Sequence, residues 1–376
     1  MIPYGKQGIN QHDINAVIDV LKSDYLTQGP VVPLFEKAVS SFVGAKYGIA
    51  VNSGTSALHI ACLSLGVSSG DIVWTTPISF VASANCALYC GAKIDFVDID
   101  PLTGSICVEA LSEKLINTSK NFLPKVIIVV HMAGNPCDMH AIFKLANPLD
   151  IKIIEDASHA LGADYLDRKV GNCQFSSIAT LSFHPIKMIT TAEGGMALTN
   201  DKNLSDKMKL LASHGITKNK SKMEIKDPWC YEQKLLGFNY RMSDIHAALG
   251  LSQINRLNDF VSKRRSIAKN YQENLSSKKI VKIEQNKFGL SSFHLYMILV
   301  KDDLRKDMYE KLIAAGIGVQ VHYMPIHLQP YFKHMNFKEG DFPNSEQYYN
   351  DVLTLPIYPE LSAANINYIV ETVNEY

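Results

Sequence analysis

Lys187 lies in the run Leu181-Ser182-Phe183-His184-Pro185-Ile186-Lys187, which Thr190-Thr191-Ala192-Glu193-Gly194-Gly195 follows. A lysine that forms an imine needs a restricted position and partial desolvation, since burial disfavours its charged form. Pro185 and the glycine pair supply restriction and close backbone approach. A lone lysine is more often a solvated surface charge. Upstream, Ile153-Ile154-Glu155-Asp156-Ala157-Ser158-His159-Ala160 reads as a buried strand ending in two acids and a histidine. An acid there can pair with a heterocyclic cation in a cleft, or cap the next helix. Further upstream, Asn52–Leu58 reads as a strand end, a glycine turn and the start of an amphipathic helix with Leu58, Cys62 and Leu65 on one face. Its N-terminus, with the Thr55 and Ser56 hydroxyls, suits a phosphate. Ser and Thr also favour that position as plain caps. No Gly-Lys-Thr/Ser follows, so the turn is not a P-loop, and neither GxGxxG nor GxSxG occurs.

The elements that must carry these residues alternate. Strands are expected at Gly48–Val51, Ile72–Thr75, Lys93–Val97, Lys125–His131, Lys152–Glu155, Ile178–Phe183 and Met196–Thr199. Helices are expected between them, for example Ser56–Leu65, Phe80–Tyr89 and Asp138–Leu145. Alternation of this kind makes an α/β fold with a mainly parallel sheet covered on both faces, with ligands at the carboxyl ends of its strands. After about Asn239 helical periodicity runs through Asp244–Leu275. A smaller α+β region follows, with strands at Phe293–Val300 and Val319–His322 and a helix at Leu304–Ala314. No Pro/Gly/Ser-rich linker separates the parts, and the first two dozen residues are free to fold back onto the smaller one.

Composition excludes several classes. The 376 residues carry 37 Lys+Arg and 37 Asp+Glu, so no net field favours nucleic acid or an anionic membrane. The longest apolar runs, such as Val126–Val130, are strand-sized. The start MIPYGKQGINQHD lacks the basic-then-apolar pattern of a leader. Seven scattered cysteines without a CxxC read as reduced packing thiols of a cytoplasmic protein. Twelve histidines without HExxH or paired Cys/His spacing give no metal site.

The order Ser53–Leu58, Glu155–Ala160, Ser182–Lys187 and Glu193–Gly195 resembles the sugar-nucleotide aminotransferases of the aspartate-aminotransferase fold type. The likeness spans nearly the whole chain. It includes Leu26–Pro30, Pro77–Leu88, Gly91–Asp100, His131–Met139, Gly237–Gly250 and His322–Pro325. The resemblance implies pyridoxal 5′-phosphate as cofactor, held by Lys187 as a Schiff base. It places Asp156 at the pyridine nitrogen and His159 near the phenolic oxygen. Gly54, Thr55, Ser56 and Ser182 would hold the phosphate, and Phe80 would stack on the ring. Asn239 would reach a neighbouring subunit, so the active site would need a homodimer, with Arg241 an interface residue beside it. It also implies a large cofactor-binding α/β domain over residues 1–240, then interface helices and a small α+β domain over 241–376. Two departures stand out. Ala192 replaces the first Gly of a common Gly-Glu-Gly-Gly, and His159 stands where Gln is usual.

Pro3–Gln7, Ser23–Pro30, Phe183–Gly195 and Gly316–Phe332 most resemble the branch serving pseudaminic acid synthesis. That likeness implies transfer of an amino group from L-glutamate to C4 of a UDP-linked 4-keto-6-deoxy N-acetylhexosamine. Tyr4, Tyr25, Leu26, Thr27, Ser56, Ser182, Asn239, His322, Tyr323 and Met324 would line the substrate site. A different 3- or 4-keto sugar nucleotide stays open. A dehydratase of the same scaffold would replace the imine lysine, and a non-catalytic binding protein would have no use for both Lys187 and Asp156.

Overall fold

The computed structural model describes residues 1–376. Seven strands form the main sheet: β1 Tyr47–Val51, β2 Ile72–Thr75, β3 Lys93–Phe96, β4 Val126–Val130, β5 Lys152–Asp156, β6 Ile178–Ser182 and β7 Gly195–Thr199. Their order is β1-β7-β6-β5-β4-β2-β3. The β2–β3, β2–β4, β4–β5 and β5–β6 pairs are parallel, whereas β7 runs antiparallel to both neighbours. β4 is apolar throughout and buried throughout, as a strand covered on both faces must be. Successive side chains alternate between two cores. Ile127, Val129 and Ile153 point to one, and Val126, Ile128 and Ile154 to the other.

The helices fill both faces. Helix α3 (Gly54–Ser64) is buried from Ser56 to Cys62. The one-sided amphipathic pattern expected for it does not hold, because it packs on the sheet and also against Ala82–Tyr89 and Lys202–Ala212. The helical run after Asn239 is built as two helices, Asp244–Ile254 and Leu257–Asn274. Arg256 breaks it with non-helical backbone angles, and its guanidinium bonds the buried Asp13 carboxylate and lies over Phe260.

A second, antiparallel sheet joins Ile280–Lys282, Tyr296–Val300 and Val352–Leu355. Its middle strand begins at Tyr296, not Phe293, because Phe293 adopts a left-handed φ of 49°. Val319–His322 is not a regular strand either: only Gln320 bridges Thr354. The N-terminal segment runs alongside. Ile2 pairs with Ile317, and the Tyr4 carbonyl accepts from Ile357 N–H. No helix is long and apolar enough to cross a membrane.

One buried acid fastens the segment before helix Val31–Val43 to the helix that starts at residue 244. The Asp244 carboxylate accepts from the N–H groups of Gly29 (2.7 Å), Val31 (2.8 Å) and Val32 (3.1 Å), and its own N–H donates to the Leu26 carbonyl (3.0 Å). Three backbone donors at a helix start gain a fully buried charged acceptor. Asp244→Ala is expected to lower unfolding free energy by about 2–4 kcal/mol. Urea titration checks this, and an unchanged midpoint would show that the carboxylate does not carry the junction.

Candidate functional site

The carboxyl ends of β5 and β6 open into a cavity of about 360 Å³, the size of a small cofactor site. Asp156 ends β5 there, buried, and is fixed from two sides. Ser83 Oγ donates to Oδ2 at 2.7 Å, and Ser158 Oγ donates to Oδ1 at 2.6 Å. Ser79 bonds Ser83 in turn at 2.7 Å. Two hydroxyl donors, one on each oxygen, hold the carboxylate in one orientation. Glu155, its neighbour, points to the opposite face of the sheet, where His131 Nε2 lies 3.0 Å from its carboxylate. His131 Nδ1 accepts from Cys137 N–H, leaving Nε2 as the donor to Glu155. The Gly-Asn-Pro-Cys turn and the acidic strand are thereby locked together below the cavity.

The turn Ser53–Thr55 and the end of β6 meet beside Asp156. A Cβ on Gly54 would stand 3.0 Å from Ser182 Cβ, a tight contact that any larger residue would have to relieve by displacing Ser182. Gly54 and Thr55 line the cavity at the start of α3, where a helix presents unpaired N–H groups. Ser56 does not line it. Its hydroxyl is spent on Asn52 Oδ1 (2.7 Å) and Ser53 Oγ (2.9 Å), which shape the turn from within.

Lys187 enters after β6 on the loop through His184 and Pro185, half-buried, with its exposed part inside the cavity. Burial pulls its amine down to about 8, and the Asp156 carboxylate opposes that pull. The amine is thus readily available as a nucleophile near neutral pH. His159, His322 and Tyr323 stand around it. Burial, then the Lys187 amine and His322, hold His159 well below the usual histidine range. Burial and Lys187 bring His322 to about 4. The far wall comes from the second sheet's side and the N-terminus, through His322, Tyr323 and Tyr4.

Of the residues singled out in sequence, Tyr4, Gly54, Thr55, Phe80, Asp156, His159, Ser182, Lys187, His322 and Tyr323 line this one cavity. Ser56, Tyr25, Leu26, Thr27, Asn239 and Met324 do not. Tyr25, Leu26, Thr27 and Asn239 are exposed on the chain's surface. Ser79, Ser158, His184, Ile186 and Glu193 also line the cavity, and Ser83 supports it. Ser158 was legible as the residue two beyond the acid, a spacing that favours a side-chain bond back to it. Nothing local marks Ser83, which reaches Asp156 across the sheet.

The family model for DegT/DnrJ/EryC1/StrS aminotransferases matches residues 7–374, and the chain belongs to that family. A Campylobacter jejuni protein named UDP-4-amino-4,6-dideoxy-N-acetyl-β-L-altrosamine transaminase is 38% identical, over 99% of this chain and 96% of its own. The GDP-perosamine synthase of Escherichia coli O157:H7 is 33% identical, over 100% and 98%. Among solved structures, Helicobacter pylori PseC, an aminotransferase involved in pseudaminic acid biosynthesis, superposes with a TM-score of 0.91 at 35% identity, covering 100% of this chain and 98% of its own. Spr1654 of Streptococcus pneumoniae, solved in its PLP form, gives 0.91 at 27% identity, over 100% and 98%. The chain is a pyridoxal-phosphate-dependent sugar aminotransferase of the aspartate-aminotransferase fold type. The cavity fits that cofactor: a fixed carboxylate, a desolvated amine and a helix N-terminus border one space.

The depressed lysine has a stability signature. Its folded value, about 8, lies below the ordinary lysine value of 10.5, so the unfolded chain binds more protons between those values and stability rises with pH across them. Below pH 8 the native state carries the full penalty. Lys187→Met is therefore expected to stabilise the cofactor-free protein at pH 7 by about 1–3 kcal/mol, after allowance for partial solvent contact, and the gain should fade from pH 8 to 10.5. Paired urea titrations across this range check it; a gain independent of pH would contradict it.

Proposed function

We propose that this enzyme moves the amino group of L-glutamate to C4 of a UDP-linked 4-keto-6-deoxy N-acetylhexosamine, giving UDP-4-amino-4,6-dideoxy-N-acetyl-β-L-altrosamine, in the cytoplasm and as a homodimer. The carrying observation is the convergence of Asp156, Lys187 and the Gly54–Thr55 turn on one cavity whose far wall is Tyr4, His322 and Tyr323. The altrosamine transaminase name of the Campylobacter relative supports the sugar.

When bound, the cofactor supplies the electron sink that lets an amino group leave one carbon and join another. Each residue has a task toward it. Lys187 would hold the cofactor, and its amine, near neutrality between protonation states, is the group placed to take up and release the proton that moves. Asp156, fixed by Ser83 and Ser158, would pair with the ring nitrogen. His159 would offer Nε2 to the phenolic oxygen. Gly54, Thr55 and Ser182 take the phosphate, and Ser56 shapes their turn. Phe80, more than half exposed at the cavity edge, covers the ring face. Tyr4, His322 and Tyr323 close over the sugar, with Met324 next in line. The exposure of Tyr25, Leu26, Thr27 and Asn239 favours a dimer, in which such residues complete the site of a second copy.

A second reading is transfer to another nucleotide-linked 3- or 4-keto sugar. The GDP-perosamine synthase at 33% identity favours keeping it. A panel of UDP-, GDP- and dTDP-linked keto sugars, each with glutamate, separates the two. The proposal predicts turnover of the UDP 4-keto-6-deoxy N-acetylhexosamine at least tenfold above the others, with the new amine at C4 by NMR. Equal turnover of a GDP- or dTDP-linked sugar would defeat the assignment. Borohydride should fix the cofactor on wild-type protein and not on Lys187→Ala; trapping elsewhere would remove Lys187 from its role.

A further inference from the structure

Behind His159 lies a second imidazole that no sequence motif pointed to. His294 is buried, with its ring centroid 4.4 Å from that of His159 and the planes at 43°. On another side Tyr323 stacks on His159 at 6.5 Å and 24°. The Nδ1 atoms of both histidines are sealed without a partner. Buried polar atoms normally find partners, so a pair left open beside a reactive site calls for a reason.

The segment carrying His294 is anchored with unusual care. Arg264, fully buried, donates through one terminal nitrogen to the carbonyls of Phe293 (3.2 Å), His294 (3.1 Å) and Ile357 (2.9 Å). Ser292 Oγ donates to the His159 carbonyl at 2.9 Å, and Ser292 N–H to the Gly134 carbonyl at 3.1 Å. Gly134, at φ 88°, is required here, since a Cβ would lie 2.2 Å from Ser292 Oγ and 2.7 Å from the His159 carbonyl. The backbones of residues 134, 159 and 292–294 are thus bound together, and the two rings follow.

We infer that His294 is a positioning residue for His159, fixing its ring from behind so that Nε2 is the nitrogen presented to the cofactor. This rests on the proposed place of His159 beside the cofactor. The groups around the pair act in one direction. His159 faces the Lys187 amine, His322, Tyr323 and His294; His294 faces Arg264 as well; of the two acids that line the cavity, Asp156 is occupied by Ser83 and Ser158, and Glu193 makes no bond to either imidazole. Burial acts first, with the Lys187 amine beside both rings and Arg264 beside His294, and neither imidazole is bonded to a carboxylate, so both stay neutral; a neutral His159 perturbs the cofactor differently from a charged one.

The test is a double-mutant cycle read spectroscopically on the holoenzyme. The absorbance of bound pyridoxal phosphate is titrated from pH 5.5 to 9.5 in wild type, His294→Leu, His159→Gln and the double variant. The expected result is that His294→Leu moves the midpoint by at least 0.5 pH unit when His159 is present and by less than 0.1 in the His159→Gln background. An equal shift in both backgrounds, or none in either, would overturn the inference. If His294→Leu does not fold, ¹⁵N imidazole NMR of the wild-type chain decides. Neutral, fixed tautomers of His159 and His294 from pH 6 to 8 support it, and ordinary titration of His159 near 6.5 overturns it. The NMR experiment needs no cofactor, so failure of the functional reading and failure of this inference remain distinguishable.

Discussion

The site depends on one carboxylate held in a single orientation where a parallel strand ends at the cavity. Asp156 is buried, and a buried polar group left without partners is costly. Ser83 and Ser158 supply those partners with short hydroxyl bonds at 2.7 and 2.6 Å. Ser158 comes from the loop that follows the strand, and Ser83 from a helix crossing the face of the sheet. The sheet order therefore has to bring β2, the strand before that helix, to the side of β4, next to β5, for Ser83 to reach Asp156. A fixed anion in turn gives the Lys187 amine a neighbour that opposes its desolvation, which leaves it poised near neutrality instead of far below.

The supports around this centre divide by chemistry. Below the sheet, His131 and Glu155 satisfy one another and make the strand end rigid. Above it, neutral imidazoles and Tyr323 form an apolar-sided wall with few fixed charges, which raises the weight of every remaining electrostatic contact. The wall is bonded to the second sheet through Gln320 with Thr354, and the N-terminal segment joins it through Ile2 with Ile317. Residues from the main sheet and from beside the second sheet therefore share one cavity, and Ser292, bonded to the carbonyls of His159 and Gly134, ties the two sheets' surroundings together.

Much of this was legible in the residues. The seven main strands appeared within one or two residues of their expected positions, because buried parallel strands read as short β-branched runs bounded by turn residues. The acid, the lysine and the glycine turn were visible because each sits at a strand end, where patterns change. What escaped had no local signal. Ser83 lies mid-sequence in an apolar helix and gains its role across the sheet. His294 sits where the pattern reads as strand, but the left-handed Phe293 holds it outside the ladder. The one-sided face expected for α3 failed because burial on all sides leaves no solvent face to pattern. Asn239 and Tyr25 carried motif signals yet stand exposed outside the cavity, because the motif marks a residue type and not what it faces within one chain.

The account stands on Asp156 and Lys187 holding opposite ends of one ring. Diffraction from crystals grown with pyridoxal phosphate tests this directly. The account predicts continuous density between Lys187 and the cofactor, with the ring nitrogen within hydrogen-bond distance of the Asp156 carboxylate and the phosphate against Gly54 and Thr55. A cofactor bound with its nitrogen turned away from Asp156, or its phosphate remote from that turn, would contradict it.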